Sequence, residues 1–288
     1  MKAIYKREVQ SYFRSMIGYA FVAFLMLFMG IYFTAYNLTM GYPNFSYALA
    51  GTMMIFLIAI PILTMRSFAE ERRNKTDQLL LTAPVSVAEI VVGKYLAMVT
   101  VFLIPVLFSC IYPLFIKAQG TAYLVADYTA ILVYFLIGCV YISIGMFLSS
   151  LTENQIISAV STFAVLLLLY LWNGVLSFLP EFAAYNFVGV LLIVIAIGFL
   201  VYHLTKNWVI GGGIALLGGV PAIVVFIVKQ SLYTGLLAKV LAKFNFSTIL
   251  SSVIDNNLLD VGNLIFCISI IFLFVFLTIQ SIQKRRWS

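Results

Sequence analysis

Residues 128–149 read YTAILVYFLIGCVYISIGMFLS, a run of 22 residues without one charged side chain. A helix rises about 1.5 Å per residue, so roughly 20 apolar residues cross the hydrocarbon core of a bilayer. Backbone N–H and C=O groups find no water inside lipid, so a spanning segment must bond internally as a helix. The stretch therefore predicts a transmembrane helix.

Seven further stretches are long and apolar enough to be read in the same way. They are 16–36, 46–65, 95–116, 156–179, 187–204, 208–228 and 261–282. Three of them contain prolines, which predict kinks rather than ends: Pro61, Pro105, Pro113 and Pro221. The expected fold is all-α and polytopic, with about eight transmembrane helices. Six are regular, and residues 187–228 supply either an extra pair or a re-entrant pair.

The composition excludes a water-soluble protein. The chain is 64% hydrophobic and only 9% charged, with a mean hydropathy of +1.10, whereas soluble domains carry about 25% charged residues. We expect residues 1–288 to form a single transmembrane domain. The first apolar stretch is too long for a signal peptide, so we expect it to be retained. The three cysteines lack the spacing of a zinc site, and no metal site is predicted.

The distribution of lysine and arginine predicts the orientation. With the N-terminus inside, 13 of the 17 Lys and Arg residues lie in cytoplasmic segments, as the positive-inside rule requires. Both termini are then cytoplasmic, which needs an even number of spans. This bias accounts for most of the net charge of +7, so a nucleic-acid partner is not needed to explain it.

Two amphipathic segments flank the spans. Within residues 1–15, apolar positions recur at helical spacing between cations, which predicts an interfacial helix with Lys6, Arg7 and Arg14 near lipid phosphates. Residues 229–260 form the expected extracytoplasmic loop. Part of it, 232–244, repeats this pattern and places Lys239 and Lys243 opposite an apolar face.

Residues 66–94 concentrate nine of the chain's 27 charged residues in one predicted cytoplasmic loop. Opposite charges four residues apart, Arg66 with Glu70 and Glu71 with Lys75, predict a short exposed helix. Near the other end of the loop, Ser86 and Glu89 form a capping box that starts the helix entering the third span.

Between these elements lies a leucine-rich stretch. Thr76 can cap a second short helix that carries three apolar residues, Leu79, Leu80 and Leu81, and Pro84 stops it. Such a patch needs a partner. The partner is either the protein's own N-terminal helix or a soluble protein that receives the short helix in a groove.

This loop resembles that of the ABC-2 type permeases, membrane subunits of bacterial ABC transporters. The matching motifs are Glu71-Arg72, Thr76 with Leu80-Leu81, Pro84-Val85-Ser86 and Gly93-Lys94. The N-terminal amphipathic helix and the C-terminal Lys284-Arg285-Arg286-Trp287 also look like this family, in particular its gliding-motility and copper-maturation branch. The resemblance is weaker over residues 187–228.

The resemblance implies a half-transporter in the bacterial cytoplasmic membrane, and we expect an exporter. Two permeases, identical or related, would pair around the substrate path. Residues 66–94 would act as the coupling loop that docks into a separate ATP-binding subunit, through Glu70, Glu71, Arg72, Thr76, Leu79, Leu80, Leu81 and Pro84. The chain has no Walker A phosphate loop, so ATP and Mg²⁺ are expected on that subunit, and this chain is not expected to be an enzyme.

Two other functions stay open. An ion-coupled secondary transporter normally carries ionisable groups at mid-membrane, but here Asp127, Glu153 and Glu181 lie at span ends. An intramembrane protease is suggested by Glu70-Glu71, Phe199-x-x-x-His203 and His203-x-x-x-Asn207. However, the chain has one histidine, and the two glutamates lie among cations, as on a solvated face.

Overall fold

The computed structural model describes residues 1–76, 85–205, 228–243, 245–256 and 260–287, with residues 213, 217, 219, 221, 225 and 226 in addition. Within these residues the regular structure is entirely helical, which confirms the all-α prediction. The chain divides into two compact units, residues 1–168 with 246–288 and residues 169–245.

The first unit holds most of the helices. They are α1 (Lys2–Arg14), α2 (Met16–Phe33), α3 (Ser46–Thr52), α4 (Phe56–Thr64), α5 (Ala69–Arg73), α6 (Val87–Ser109), α7 (Tyr112–Gln119), α8 (Leu124–Leu151), most of α9 (Gln155–Tyr170), α13 (Phe246–Asn256) and α14 (Val261–Trp287). A π-helical turn, Thr34–Thr39, extends α2, and a 3₁₀ turn, Met53–Ile55, joins α3 to α4. The second unit contains α10 (Trp172–Ser177), α11 (Ala183–Thr205), a 3₁₀ turn at Gln230–Tyr233 and α12 (Leu236–Ala242).

Five helical stretches of the described chain are long and apolar enough to cross a membrane. They are Met16–Thr39, Ser46–Arg73, Val87–Gln119, Leu124–Leu151 and Val261–Lys284, in agreement with five of the predicted spans. The expected span 156–179 is instead broken between α9 and α10. The expected span 187–204 lies within α11, a helix of 23 residues. The expected span 208–228 lies largely outside the described residues.

Two of the prolines that were expected to lie within helices do so. Pro61 lies within α4 and Pro105 within α6. Pro113 behaves differently, because it lies in the first turn of α7 after a break at Cys110. That position suits proline, since the first N–H groups of a helix have no partner in any case.

Helix α8 forms the centre of the first unit and packs against α3, α4, α6, α7, α13 and α14. Aromatic rings fill the core, with Phe56 and Tyr134 4.6 Å apart between centroids. Phe102 of α6 reaches α8 at Gly138, where an added Cβ would lie 2.3 Å from the Phe102 ring. Close packing of this kind replaces the hydrophobic driving force that is missing between helices in lipid.

Successive helices run in opposite directions through the first unit and create two ends. The basal end carries the α1–α2 junction, α5 and the start of α6, with the Tyr12 hydroxyl donating to the carbonyl of Leu63 at 3.1 Å. The distal end carries the π-turn, the start of α3 and the start of α8. There Phe45 N–H donates to Asp127 Oδ1 at 2.8 Å.

Candidate functional site

The basal end is organised around helix α1, which packs along α6. At Ser15 the backbone becomes extended, and α2 begins at the next residue. Gly18 permits this sharp junction, because a Cβ there would lie 2.6 Å from the carbonyl oxygen of Tyr12. Gly93 of α6 similarly leaves room for Ile4. The predicted helix is therefore confirmed, and one side of it contacts the protein.

Hydrogen bonds fix α1 in this position. The hydroxyls of Tyr5 and Thr100 lie 2.9 Å apart, and Tyr12 donates to Leu63 of α4. Burial raises the pKa of Tyr12 above its ordinary value, so the phenol keeps the proton that it donates. Helix α1 is thus bonded to both the second and the third span.

Four charged side chains from α1, α5 and α6 meet beside this contact, and we call them the basal charge cluster: Arg7, Glu8, Glu71 and Lys94. The ammonium of Lys94 lies 2.8 Å from Glu71 Oε1 and 3.1 Å from Glu8 Oε1. Arg7 Nη2 lies 3.2 Å from the same Glu71 oxygen and 3.4 Å from the same Glu8 oxygen. Two cations and two anions therefore alternate, and the cluster has no net formal charge.

The members of the cluster differ in exposure. The side chain of Lys94 is 2% exposed, whereas those of Glu8 and Glu71 are 12% and 14% exposed and that of Arg7 is 61% exposed. Lys94 also lies over the ring of Phe68, 5.4 Å from its centroid. A buried ammonium is costly unless it is paired and hydrogen-bonded. The two carboxylates meet that need.

Helix α5 ends in a geometry that directs the following chain. Lys75 has a left-handed φ of 55°. Thr76 N–H donates to Glu71 O at 2.9 Å and Lys75 N–H to Arg72 O at 3.0 Å. These two bonds form a Schellman motif, which closes a helix. The predicted pair of Glu71 with Lys75 is therefore wrong, because the helix ends before it can form and Glu71 bonds Lys94 instead.

The start of α5 is held by the fourth span. Ser149 Oγ accepts the N–H groups of Phe68 and Ala69, both at 3.2 Å, and donates to Met65 O at 3.3 Å. Arg72 donates to Thr152 O at 3.3 Å. Ala69 and Arg72 are buried, so α5 is not the fully exposed helix that the charge pattern predicted.

Several local predictions are confirmed. Arg66 forms a two-point pair with Glu70, one of whose contacts measures 2.9 Å. Ser86 caps α6 by accepting the N–H of Glu89 at 3.3 Å, while the Glu89 carboxylate contacts the amino group of Met1. Among the interfacial cations, Lys6 and Arg14 are exposed and Arg7 joins the cluster.

A cleft of about 580 Å³ opens beside the cluster. Polar and charged residues from the end of α1, from residues 66–76 and from α6 line it: Arg7, Glu8, Ser11, Tyr12, Ser15, Arg66, Ser67, Glu70, Glu71, Asn74, Thr76 and Lys94. The predicted docking residues Leu79, Leu80, Leu81 and Pro84 lie outside the described residues.

The two glutamates that suggested a protease, Glu70 and Glu71, are both engaged in ion pairs. Glu70 is occupied by Arg66, and Glu71 by Lys94 and Arg7. Glu71 is also largely buried, not on a solvated face as its sequence neighbours suggested. Across the described part of the chain, no three His, Cys, Asp or Glu side chains converge as a metal site would require.

Sequence reasoning missed Glu8, Tyr12 and Ser149 as members of this site. Each of the three bonds a helix that is distant in sequence. The signal in the sequence for this part of α6 was the Gly93-Lys94 motif. Glu8 looked like one acid within a basic stretch, although it lies one turn from Tyr5 and Tyr12 on the side of α1 that faces the protein.

Comparison with known proteins agrees with this picture. A family model described as ABC-2 family transporter protein matches residues 2–189, which include α1, the loop and the first four spans. A search of curated proteins gives no match. Proteins of this family are membrane subunits that work with ATP-binding subunits. The match covers more than half of the chain, so the chain belongs to the ABC-2 transporter family and is a multi-pass permease subunit of an ABC transporter.

Proposed function

We propose that this permease is half of an exporter, in which residues 66–94 couple ATP hydrolysis on a separate subunit to movement of the spans. The basal charge cluster is the observation that carries the proposal. Glu71 precedes the central part of the loop and Lys94 follows it, and the two side chains are bonded to each other and to α1. A force on the loop therefore acts on both flanks together.

The contacts give that force a route into the bundle. From α5 it passes through Ser149 to α8, and from α6 it passes through Glu8 to α1. Helix α1 is in turn bonded to α4 through Tyr12. Packed and hydrogen-bonded elements carry coupling when they move between discrete arrangements. The second, third and fourth spans are thus the elements that the loop would move.

In this proposal the basal end faces the cytoplasm and both termini lie there, in a bacterial cytoplasmic membrane. The excess of Lys and Arg in the predicted cytoplasmic segments supports that orientation. Lys6 and Arg14 point away from the protein on α1, where they can approach anionic lipid headgroups. Export is proposed from the resemblance to the gliding-motility and copper-maturation permeases.

The partners follow from the same reasoning. The three leucines, Leu79, Leu80 and Leu81, dock into the ATP-binding subunit, with Thr76 and Pro84 bounding the docking segment. That subunit binds ATP and Mg²⁺, and this chain binds neither. A second permease, identical or related, completes the substrate path.

Co-purification tests the docking step. The permease is co-expressed with a candidate ATP-binding subunit that carries a Walker A motif, as wild type and with Leu79→Asp and Leu80→Asp together. We expect the double variant to insert normally but to lose the ATPase subunit, because two carboxylates cannot enter an apolar groove. The matched control places Leu232→Asp and Val240→Asp in the segment 229–260, where both side chains are about half exposed, and should retain the subunit. Equal recovery of the ATPase with the loop variant would contradict the proposal.

A further inference from the structure

A group of buried oxygen atoms lies at the distal end, away from the basal charge cluster. We call it the distal oxygen cluster, and its members are Asn37 Oδ1, Asn44 Oδ1, Ser46 Oγ and Asp127 Oδ2. Each of these atoms is buried and has no hydrogen-bond partner among the described residues. Asp127, Ser46 and Asn37 are themselves 0%, 2% and 8% exposed.

Hydrogen bonds hold the four residues in one place. Asp127 Oδ1 accepts Phe45 N–H at 2.8 Å and Ser46 N–H at 3.3 Å. Asn37 Nδ2 donates to Asn44 O at 3.0 Å and to Tyr42 O at 2.8 Å. Asn44 and Ser46 are the sequence neighbours of Phe45. Their side chains are therefore attached next to, or at, a backbone N–H group that bonds Asp127. The fourth span and the turn between the first two spans meet here.

The second carboxylate oxygen is the unusual feature. A buried acceptor without a donor is costly, and more so when it is charged. Here one carboxylate oxygen, two amide oxygens and a hydroxyl are buried on residues that these hydrogen bonds join, and the amide nitrogen of Asn37 is already used by backbone carbonyls. All four oxygen atoms can act as acceptors.

We propose that the distal oxygen cluster binds a hard monovalent cation, with sodium as the ion that fits its charge. Hard cations take oxygen ligands from carboxylates, amides and hydroxyls. One carboxylate with neutral oxygens gives a single negative charge, which a monovalent ion cancels and a divalent ion would overcompensate at a buried site. The backbone N–H groups at the start of α3 are directed at Oδ1, which leaves Oδ2 for the ion.

Asn37 also lines a cleft of about 330 Å³ at the distal end, together with Tyr42 and Gln119. This cleft reaches one of the four residues of the distal oxygen cluster. The bound ion would join α8 to the π-turn and to the start of α3, and so would stabilise the distal ends of the first, second and fourth spans against one another. This proposal does not depend on the coupling role of residues 66–94.

Thermal unfolding of the purified full-length protein in detergent tests the site at equal ionic strength in NaCl, choline chloride and CaCl2. We expect sodium to raise the unfolding midpoint by about 3 °C or more over choline, in a saturable manner. Asp127→Asn should abolish the sodium effect, because its amide oxygen keeps the bonds from Phe45 and Ser46 while the NH₂ group replaces Oδ2. Asp260→Asn, at the start of α14, is the matched control and should respond like wild type.

Ser46→Ala provides a second measurement that keeps the carboxylate. It should fold and should raise the half-saturating sodium concentration several-fold, because one ligand is lost. Equal midpoints of the wild type in sodium and choline would overturn the proposal, and so would a sodium response retained in Asp127→Asn. A shift by calcium without one by sodium would overturn the monovalent assignment.

Discussion

Lys94 and Glu71 are 23 residues apart in sequence, yet the ammonium and a carboxylate oxygen lie 2.8 Å apart with the lysine side chain 2% exposed. The pair joins the last helix before the central part of the loop to the first helix after it. The loop is therefore anchored at both ends to a single point, to which α1 is also bonded.

The pair should contribute strongly to stability. Lys94→Met removes the buried cation and leaves Glu8 and Glu71 close together with only the exposed Arg7 between them. Removing one partner of a buried pair costs about 3–5 kcal/mol, so we expect a clear fall in the unfolding midpoint. Lys6→Met, on the exposed side of α1, is the control and should change little.

A double-mutant cycle separates the interaction from general damage. Glu71→Gln combined with Lys94→Met should be less destabilised than the sum of the single variants, with a coupling of about 1 kcal/mol or more. The same variants should reduce permease-stimulated ATP hydrolysis by the partner in proteoliposomes while preserving co-purification. Additive effects on stability would argue that the two side chains act separately.

Ser149 gives a second test of the route into α8. Ser149→Ala leaves the N–H groups of Phe68 and Ala69 buried without their acceptor, which should cost about 1–3 kcal/mol. Hydrogen exchange should accelerate at both amides. Ser150→Ala is the neighbouring control, because within the described part of the chain Ser150 Oγ bonds only Phe147 of its own helix. Similar losses in both variants would remove the special role of Ser149.

Tyr12→Phe tests the bond between α1 and α4. The variant keeps the ring but leaves the carbonyl of Leu63 without the phenol, so we expect a loss of about 1–2 kcal/mol in unfolding free energy. Tyr19→Phe, whose side chain is largely exposed, should be neutral. If Tyr12→Phe is as stable as wild type, then the packing of α1, and not this bond, fixes its position.

Lys75 predicts a change in the opposite direction. Its left-handed φ of 55° is unfavourable for a residue with a Cβ and free of penalty for glycine, so Lys75→Gly should stabilise the end of α5 by up to about 1 kcal/mol. Asn74→Gly is the control, because Asn74 is in the right-handed region, and should destabilise. A fall in the midpoint with Lys75→Gly would place the lysine side chain in a contact that outweighs its backbone strain.

The sequence predicted what depends on neighbours along the chain. The runs of apolar residues located five spans, the Ser86 and Glu89 spacing located the start of α6, and the Arg66 and Glu70 spacing gave a real pair. These features follow from helical periodicity alone. They were correct where no distant group competes for the atoms involved; the Glu89 carboxylate, by contrast, contacts the distant amino group of Met1.

Glu71 shows why the rest could not be predicted. The spacing of four residues predicts an ion pair between Glu71 and Lys75. The Schellman motif ends the helix before that pair can form, and Glu71 instead pairs with Lys94 of the third span. Glu8 and Ser149 likewise acquire their roles from helices that are distant in sequence. Asp127 was predicted at a span end, and nothing in the sequence indicated that the structure would bury it against the start of α3.

The charge balance of the basal cluster has a consequence for an energised membrane. A full elementary charge moved through a potential of 100 mV gains or loses about 2.3 kcal/mol. In the coupling movement that we propose, Arg7, Glu8, Glu71 and Lys94 would move together with zero net charge, so the voltage would do no net work on these four side chains. For this cluster, the proposed movement would therefore cost the same energy in a resting cell and in a fully respiring one.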